Sequence, residues 1–210
     1  MISLRVDQSI IASLIEPGSR VLDLGCGDGL LMQHLIHQKQ CKGIGVEISP
    51  EGVQSCIAHG VPVYQGDMDQ GLSDHFDATF DYVLLSHTLQ AIHRPAFVLE
   101  EMLRVGRRGI VSFPNFGHWR FRWQLLISGR VPQRGVLPYM WYDTPNIRMC
   151  TLLDFRDLCH ELDIRIVQQI PLAASGDVKG GLPLRASNVP WMQFMANWLS
   201  PMAVFLLEKE

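Results

Sequence analysis

Between Val21 and Val111, short apolar runs alternate with longer segments whose apolar residues recur every three or four positions. The runs Val21 to Leu24, Gly43 to Ile48, Val61 to Gln65, Tyr82 to Ser86 and Gly109 to Phe113 read as strands buried on both faces. Between them the spacing predicts helices over Leu30 to His37, Glu51 to His59 and Ala96 to Val105, the last opened by Pro95. A preceding helix occupies the first 16 residues, closed by Pro17-Gly18, and the Ile10 to Ile15 run belongs to it rather than to a secretion signal. Strand and helix in alternation predict parallel strands joined by crossover helices, a Rossmann-like α/β fold with helices on both faces.

The rhythm breaks after Phe113. Pro114 to Met149 is rich in aromatics, arginines and prolines without clean periodicity and reads as an insertion. A helix over Leu153 to Leu162, a strand over Ile164 to Ile170 and a strand over Ala203 to Leu207 complete a mostly parallel, seven-stranded sheet. Asp177 to Pro190 reads as a loop, whereas Trp191, Phe194, Met195, Trp198 and Leu199 share one face of a helix. The chain therefore divides into residues 1–113, which carry the glycine loop, an insertion or lid over 114–150, and a closing helix and strands over 151–210, all in one domain.

Candidate chemistry sits where the first strand turns into a helix. The run Val21 to Gly29, VLDLGCGDG, sets three glycines at that turn, where the backbone needs left-handed angles and a ligand must approach without a Cβ in the way. Gly25, Cys26 and Gly27 form the bend. Glu47 closes the second strand 20 positions after Gly27, the spacing at which a carboxylate accepts both hydroxyls of a ribose, with Ile48 beside it. The loop reads Gly-x-Gly-x-Gly, so its third glycine falls one position early for a pyrophosphate fingerprint. Asp23, two residues before Gly25, would repel a pyrophosphate but suits a ligand carrying an ammonium and a sulfonium. Asp67 and Met68 follow the third strand, where an acceptor and an apolar side chain can meet an adenine.

In that order Asp23, Gly25, Gly27, Glu47 and Asp67 resemble the class I S-adenosylmethionine (SAM)-dependent methyltransferases from Arg20 to Ser112. The resemblance implies that Gly25 and Gly27 border the methionine portion, Glu47 holds the ribose, Asp67 and Met68 contact adenine, and Ser86 faces the methionine end. The insertion narrows the family. Phe113 to Trp119 (FPNFGHW), Leu137-Pro138-Tyr139 and Trp141 to Arg148 (WYDTPNIR) resemble the MetW family of methionine biosynthesis proteins over nearly the whole chain. That likeness implies SAM or S-adenosylhomocysteine (SAH) as ligand, homoserine O-acyltransferase (MetX) as partner, and no established methyl acceptor.

Composition removes other classes. A formal net charge of −3 across 210 residues offers no general attraction to phosphate, so nucleic acid is a poor partner despite the arginine-aromatic run His118 to Trp123. That run reads as a lid helix or a protein-binding face. No apolar stretch approaches the ~20 residues that span a bilayer, so no membrane association is expected. Five cysteines without a Cys-x-x-Cys pair fit reduced thiols in the cytoplasm. His93 reads as structural, His34 and His37 as surface residues, and no acid-base set, paired catalytic cysteines or acceptor motif stands out. Two readings follow: a SAM-binding subunit that activates the acyltransferase, or a methyltransferase acting on a small molecule.

Overall fold

A computed structural model describes residues 4–73, 75–131, 139–172 and 190–209. Among the described residues seven strands form one sheet: β1 (Arg20–Leu24), β2 (Lys42–Glu47), β3 (Val63–Gln65), β4 (Phe80–Ser86), β5 (Gly106–Pro114), β6 (Ile164–Leu172) and β7 (Met202–Lys209). Their order across the sheet is β3-β2-β1-β4-β5-β7-β6. Only β7 runs against its neighbours, pairing antiparallel with both β5 and β6. The expected α/β class and the mostly parallel sheet are both observed.

Helices α1 (Val6–Leu14), α2 (Leu30–Lys39), α3 (Pro50–Ala58), α4 (Pro95–Val105), α5 (Trp119–Ser128), α6 (Leu152–Glu161) and α7 (Pro190–Leu199) flank the sheet. Local chemistry sets their starts. The Ser49 hydroxyl accepts the Gly52 amide ahead of Pro50, and Thr151 and Asp154 cap α6 reciprocally. Two apolar clusters lie on opposite sides of the sheet. One holds Ile11 of α1 and Ile15 just after it with Met32 and Leu35 of α2. The other holds Leu99 and Met102 of α4 with Phe155 of α6. In the latter, the Phe113 and Phe205 rings stack 5.6 Å apart and Phe155 packs 4.9 Å from Phe113.

Several boundaries differ from expectation, with β4 to β7 each running at least two residues longer. The third strand begins at Val63 rather than Val61, because only three residues pair with β2. Pro190, expected to end a loop, instead opens α7, where a missing N–H costs nothing; residues 177–189 of that loop, and Leu137-Pro138 of the insertion, lie outside the described residues.

Strand order reverses between β1 and β4, so their carboxyl ends, with that of β2, form the crevice where an open α/β sheet receives ligands. A cleft of about 560 Å³ lies at the opposite end of the sheet, lined by residues such as Asp81, Arg108 and Glu208. Asp81 there pairs with Arg20, and Arg108 with Glu16 and Glu208.

Candidate functional site

The glycine loop is tied down by the strand beside it. The Gly25 and Cys26 amides donate to the Val46 carbonyl at 2.8 and 3.2 Å, and the Gly27 amide donates to Glu47 Oε2 at 2.8 Å. Gly25 has φ +73°, and a Cβ there would stand 2.7 Å from Thr88, so a side chain is excluded by both angle and space. Gly27 has φ +56° but a Cβ there would meet nothing within 4 Å, so only the backbone angle disfavours a side chain. Cys26 turns the other way. Its thiol lies 3.4 Å from that of Cys56 in the core, and burial pushes its pKa up.

Glu47 is buried at the end of β2, with Oε1 accepting the Ser49 amide at 2.9 Å. Each carboxylate oxygen thus holds one backbone amide and keeps acceptor capacity for a hydroxyl. Ile48 is exposed beside it. Asp23 lies at the end of β1, 2% exposed, and its Oδ1 has no hydrogen-bond partner. Burial pushes its pKa up to about 7; Arg5 pulls it down, while Glu47 and Asp28 push it further up. A cationic group brought to Oδ1 would supply the missing partner.

Asp67 and Met68 are less open. Asp67 caps a short 3-10 turn, Oδ1 accepting the Asp69 amide at 3.0 Å, and Met68 is buried in the core beside Leu72 and Phe80. Ser86 ends β4 within an unforeseen cluster. Its hydroxyl donates to Asp7 Oδ2 at 3.3 Å and accepts from Arg5 Nη2 at 3.0 Å. Asp7, on α1 and 2% exposed, also accepts from Ser112 at 3.3 Å and is bridged by Arg5. Burial alone would raise the Asp7 pKa, but the Arg5 hydrogen bond, then His87 whenever it is protonated and the Arg5 charge, hold it below the usual carboxylate value.

His87 follows Ser86 with φ +59°, and its Nε2 lies 3.5 Å from Asp7 Oδ2. Burial lowers its pKa, with Asp7 opposing, so a neutral imidazole stands beside an ionised carboxylate. Asp7 lies 80 positions from His87 in the chain, and only the fold brings the two together. His93 is exposed and pairs with Asp69 at 3.4 Å, while His37 is exposed on α2. Among the described residues no cluster of three or more metal-ligating side chains occurs, and no helix is long and apolar enough to cross a membrane.

Known proteins of this architecture include a possible histamine N-methyltransferase from Thermotoga maritima. It is 18% identical, with TM-score 0.66 over 98% of this chain and 88% of that one. The [4+2]-cyclase SpnF is equally alike in fold, with TM-score 0.64, 16% identity, and 96% and 80% coverage. The scaffold therefore does not fix the reaction. Sequence reaches further: a bifunctional methionine biosynthesis protein MetXA/MetW from Rhodopirellula baltica is 37% identical over 198 residues. The match takes in 90% of this chain but 31% of that protein, so the chain spans about a third of its length. The family described as methionine biosynthesis protein MetW matches residues 5–207. With a methyltransferase-like fold and that match along nearly its whole length, the chain belongs to the MetW family of methionine biosynthesis proteins.

Proposed function

We propose that the chain is a SAM-binding subunit that acts with homoserine O-acyltransferase (MetX) and raises its activity in forming O-acylhomoserine. The observation that carries this reading is the relative in which MetXA and MetW share one polypeptide, since joining two modules raises their effective concentration for one another. SAM or SAH as ligand is supported by the orphaned Oδ1 of buried Asp23, which suits an ammonium. It is supported also by Glu47, which keeps acceptor capacity for ribose hydroxyls after holding two amides.

In this reading Gly25, Cys26 and Gly27 offer backbone to the methionine portion, Cys26 by its main chain only. Ser86 borders the methionine end, Ile48 lies against the adenine, and Asp67 and Met68 flank it. Bound SAM supplies an electrophilic methyl group. Because SAM is made from methionine, unequal affinity for SAM in the free and paired subunit would report pathway output to the acyltransferase. The test is reconstitution: acyl transfer by the acyltransferase alone, with the chain, and with the chain plus SAM or SAH. Activity is expected to depend on the chain and to shift with ligand; rates unaffected by the chain would overturn the reading.

A second reading, a methyltransferase acting on a small molecule, is favoured by Asp7 and His87 beside Ser86. A neutral imidazole close to a carboxylate, here 3.5 Å from Asp7, can take a proton from an attacking amine or hydroxyl. Transfer of label from SAM to a candidate metabolite, lost in His87→Asn, would establish it.

A further inference from the structure

Helix α5 places Trp119, Trp123, Leu126 and Ile127 at positions i, i+4, i+7 and i+8, and all four are exposed. Trp123 is 58% and Leu126 76% exposed, while Phe121, on the other side of the helix, is 7% exposed. Helix α7 repeats the arrangement. Trp191, Phe194, Met195 and Trp198, at i, i+3, i+4 and i+7, all point outward, and the Phe194 and Trp198 rings stack 6.2 Å apart. The two stripes adjoin, with the Arg122 guanidinium 5.1 Å above the Trp198 ring.

Their backing is rigid. Asn115 Nδ2 donates to the carbonyls of Asn197 and Ser200 at 2.8 and 2.7 Å, and Asn115 Oδ1 accepts the Gly117 amide at 2.9 Å. The Arg122 Nε donates to the Gly117 carbonyl at 2.6 Å. Thus the start of α5 and the end of α7 share one buried polar node, and the outward aromatics stand on a fixed frame. Exposed stripes of this composition, Trp, Phe, Met and Arg without Lys, Asp or Glu, match the centre of a protein interface rather than ordinary surface.

We propose that the outward faces of α5 and α7 are the surface on which the homoserine O-acyltransferase subunit seats, through an apolar patch of its own edged by carboxylates. This rests on the partnership proposed above and adds its location. Charge selects the occupant. The face carries Arg120 and Arg122 and no acidic residue on either helix, so a two-fold contact between copies would oppose guanidinium to guanidinium. An acidic-rimmed partner relieves that repulsion. A lipid surface fits less well, because interfacial helices carry a basic face and α7 has no Lys or Arg. The fused relative supplies the partner class, since its alignment to 90% of this chain leaves about two thirds of that protein for another module.

The test measures affinity between the full chain and purified homoserine O-acyltransferase for wild type, Trp123→Glu, Phe194→Glu and a control, Ile57→Glu, on the exposed side of α3. Each stripe variant is expected to weaken binding by at least ~30-fold, as for central anchors, with the control within about twofold. Hydroxyl-radical footprinting of the unmutated pair covers the case of a variant that fails to fold, and should show protection of Trp123 and Trp191 on complex formation. Wild-type binding with unaffected variants and unprotected tryptophans would overturn the surface and leave the partnership standing. No wild-type binding would remove the partnership, and the surface with it. Self-association abolished by Phe194→Glu, or uptake onto phosphatidylglycerol vesicles, without acyltransferase binding would assign the face to those occupants instead.

Discussion

The crevice above β1, β2 and β4 and the outer face of α5 and α7 break the usual rule of burial in opposite directions. At the crevice Asp23, Glu47 and Asp7 are carboxylates taken out of water. On the helices Trp123, Trp191 and Phe194 are large apolar groups left in it. Each arrangement costs stability relative to its inverse, and each makes sense where a partner completes it: a cation for Asp23, an apolar counter-surface for the tryptophans. In the core between sheet and helices the rule holds, with Phe113, Phe155 and Phe205 fully buried.

Removing the buried charge is expected to have the largest effect. Asp23 has a pKa of about 7 in the folded protein against 3.8 when exposed, so between those values the folded state holds a proton the unfolded state has lost. Its contribution to stability is greatest below pH 3.8, falls as pH rises through 7, and is level above that, a swing on the order of 4 kcal/mol. Asp23→Asn, which cannot ionise, is expected to gain stability over wild type with rising pH across that window, read from urea unfolding at pH 5 and pH 8. The same variant should weaken SAM binding, and wild-type affinity should rise between pH 5.5 and 7.5 as Asp23 ionises. Equal pH dependence in the two proteins would show that Asp23 is not the strained group.

Next in size is the node beneath the aromatic face. Asn115→Ala leaves the Asn197 and Ser200 carbonyls and the Gly117 amide without their buried partner. A loss of about 3 kcal/mol is expected, seen as a lower thermal midpoint. Smallest is truncation of the face itself. Trp123→Ala should change stability by no more than about 0.5 kcal/mol, although Phe121→Ala two positions away should cost about 3 kcal/mol. Similar losses at both positions would mean that the stripe is core and not interface.

Glu47 has a structural role beside its candidate ligand role. From spacing alone, Glu47→Ala removes a ribose acceptor and spares the fold. Because its carboxylate holds the Gly27 and Ser49 amides, that substitution also frees the glycine loop. Glu47→Gln, which keeps an acceptor oxygen, separates the two roles. Asp67 was legible as a residue after the third strand, but its capping of the following turn was not. The Asp7, Ser86 and Ser112 cluster was invisible, since no local pattern links residues 79 to 105 positions apart. The stripe on α7 was visible as a stripe, yet periodicity reports only that one face is apolar and not whether anything covers it.

Local signals thus determined the strands and helices, the glycine bend and the carboxylates that flank it, because short-range backbone preference and side-chain alternation are written in neighbouring residues. Tertiary structure alone decided which charges lose water, which α1 groups meet the end of β4, and which aromatic faces stay bare. Burial and electrostatics depend on what the rest of the chain brings close, and that information is carried by no segment taken by itself.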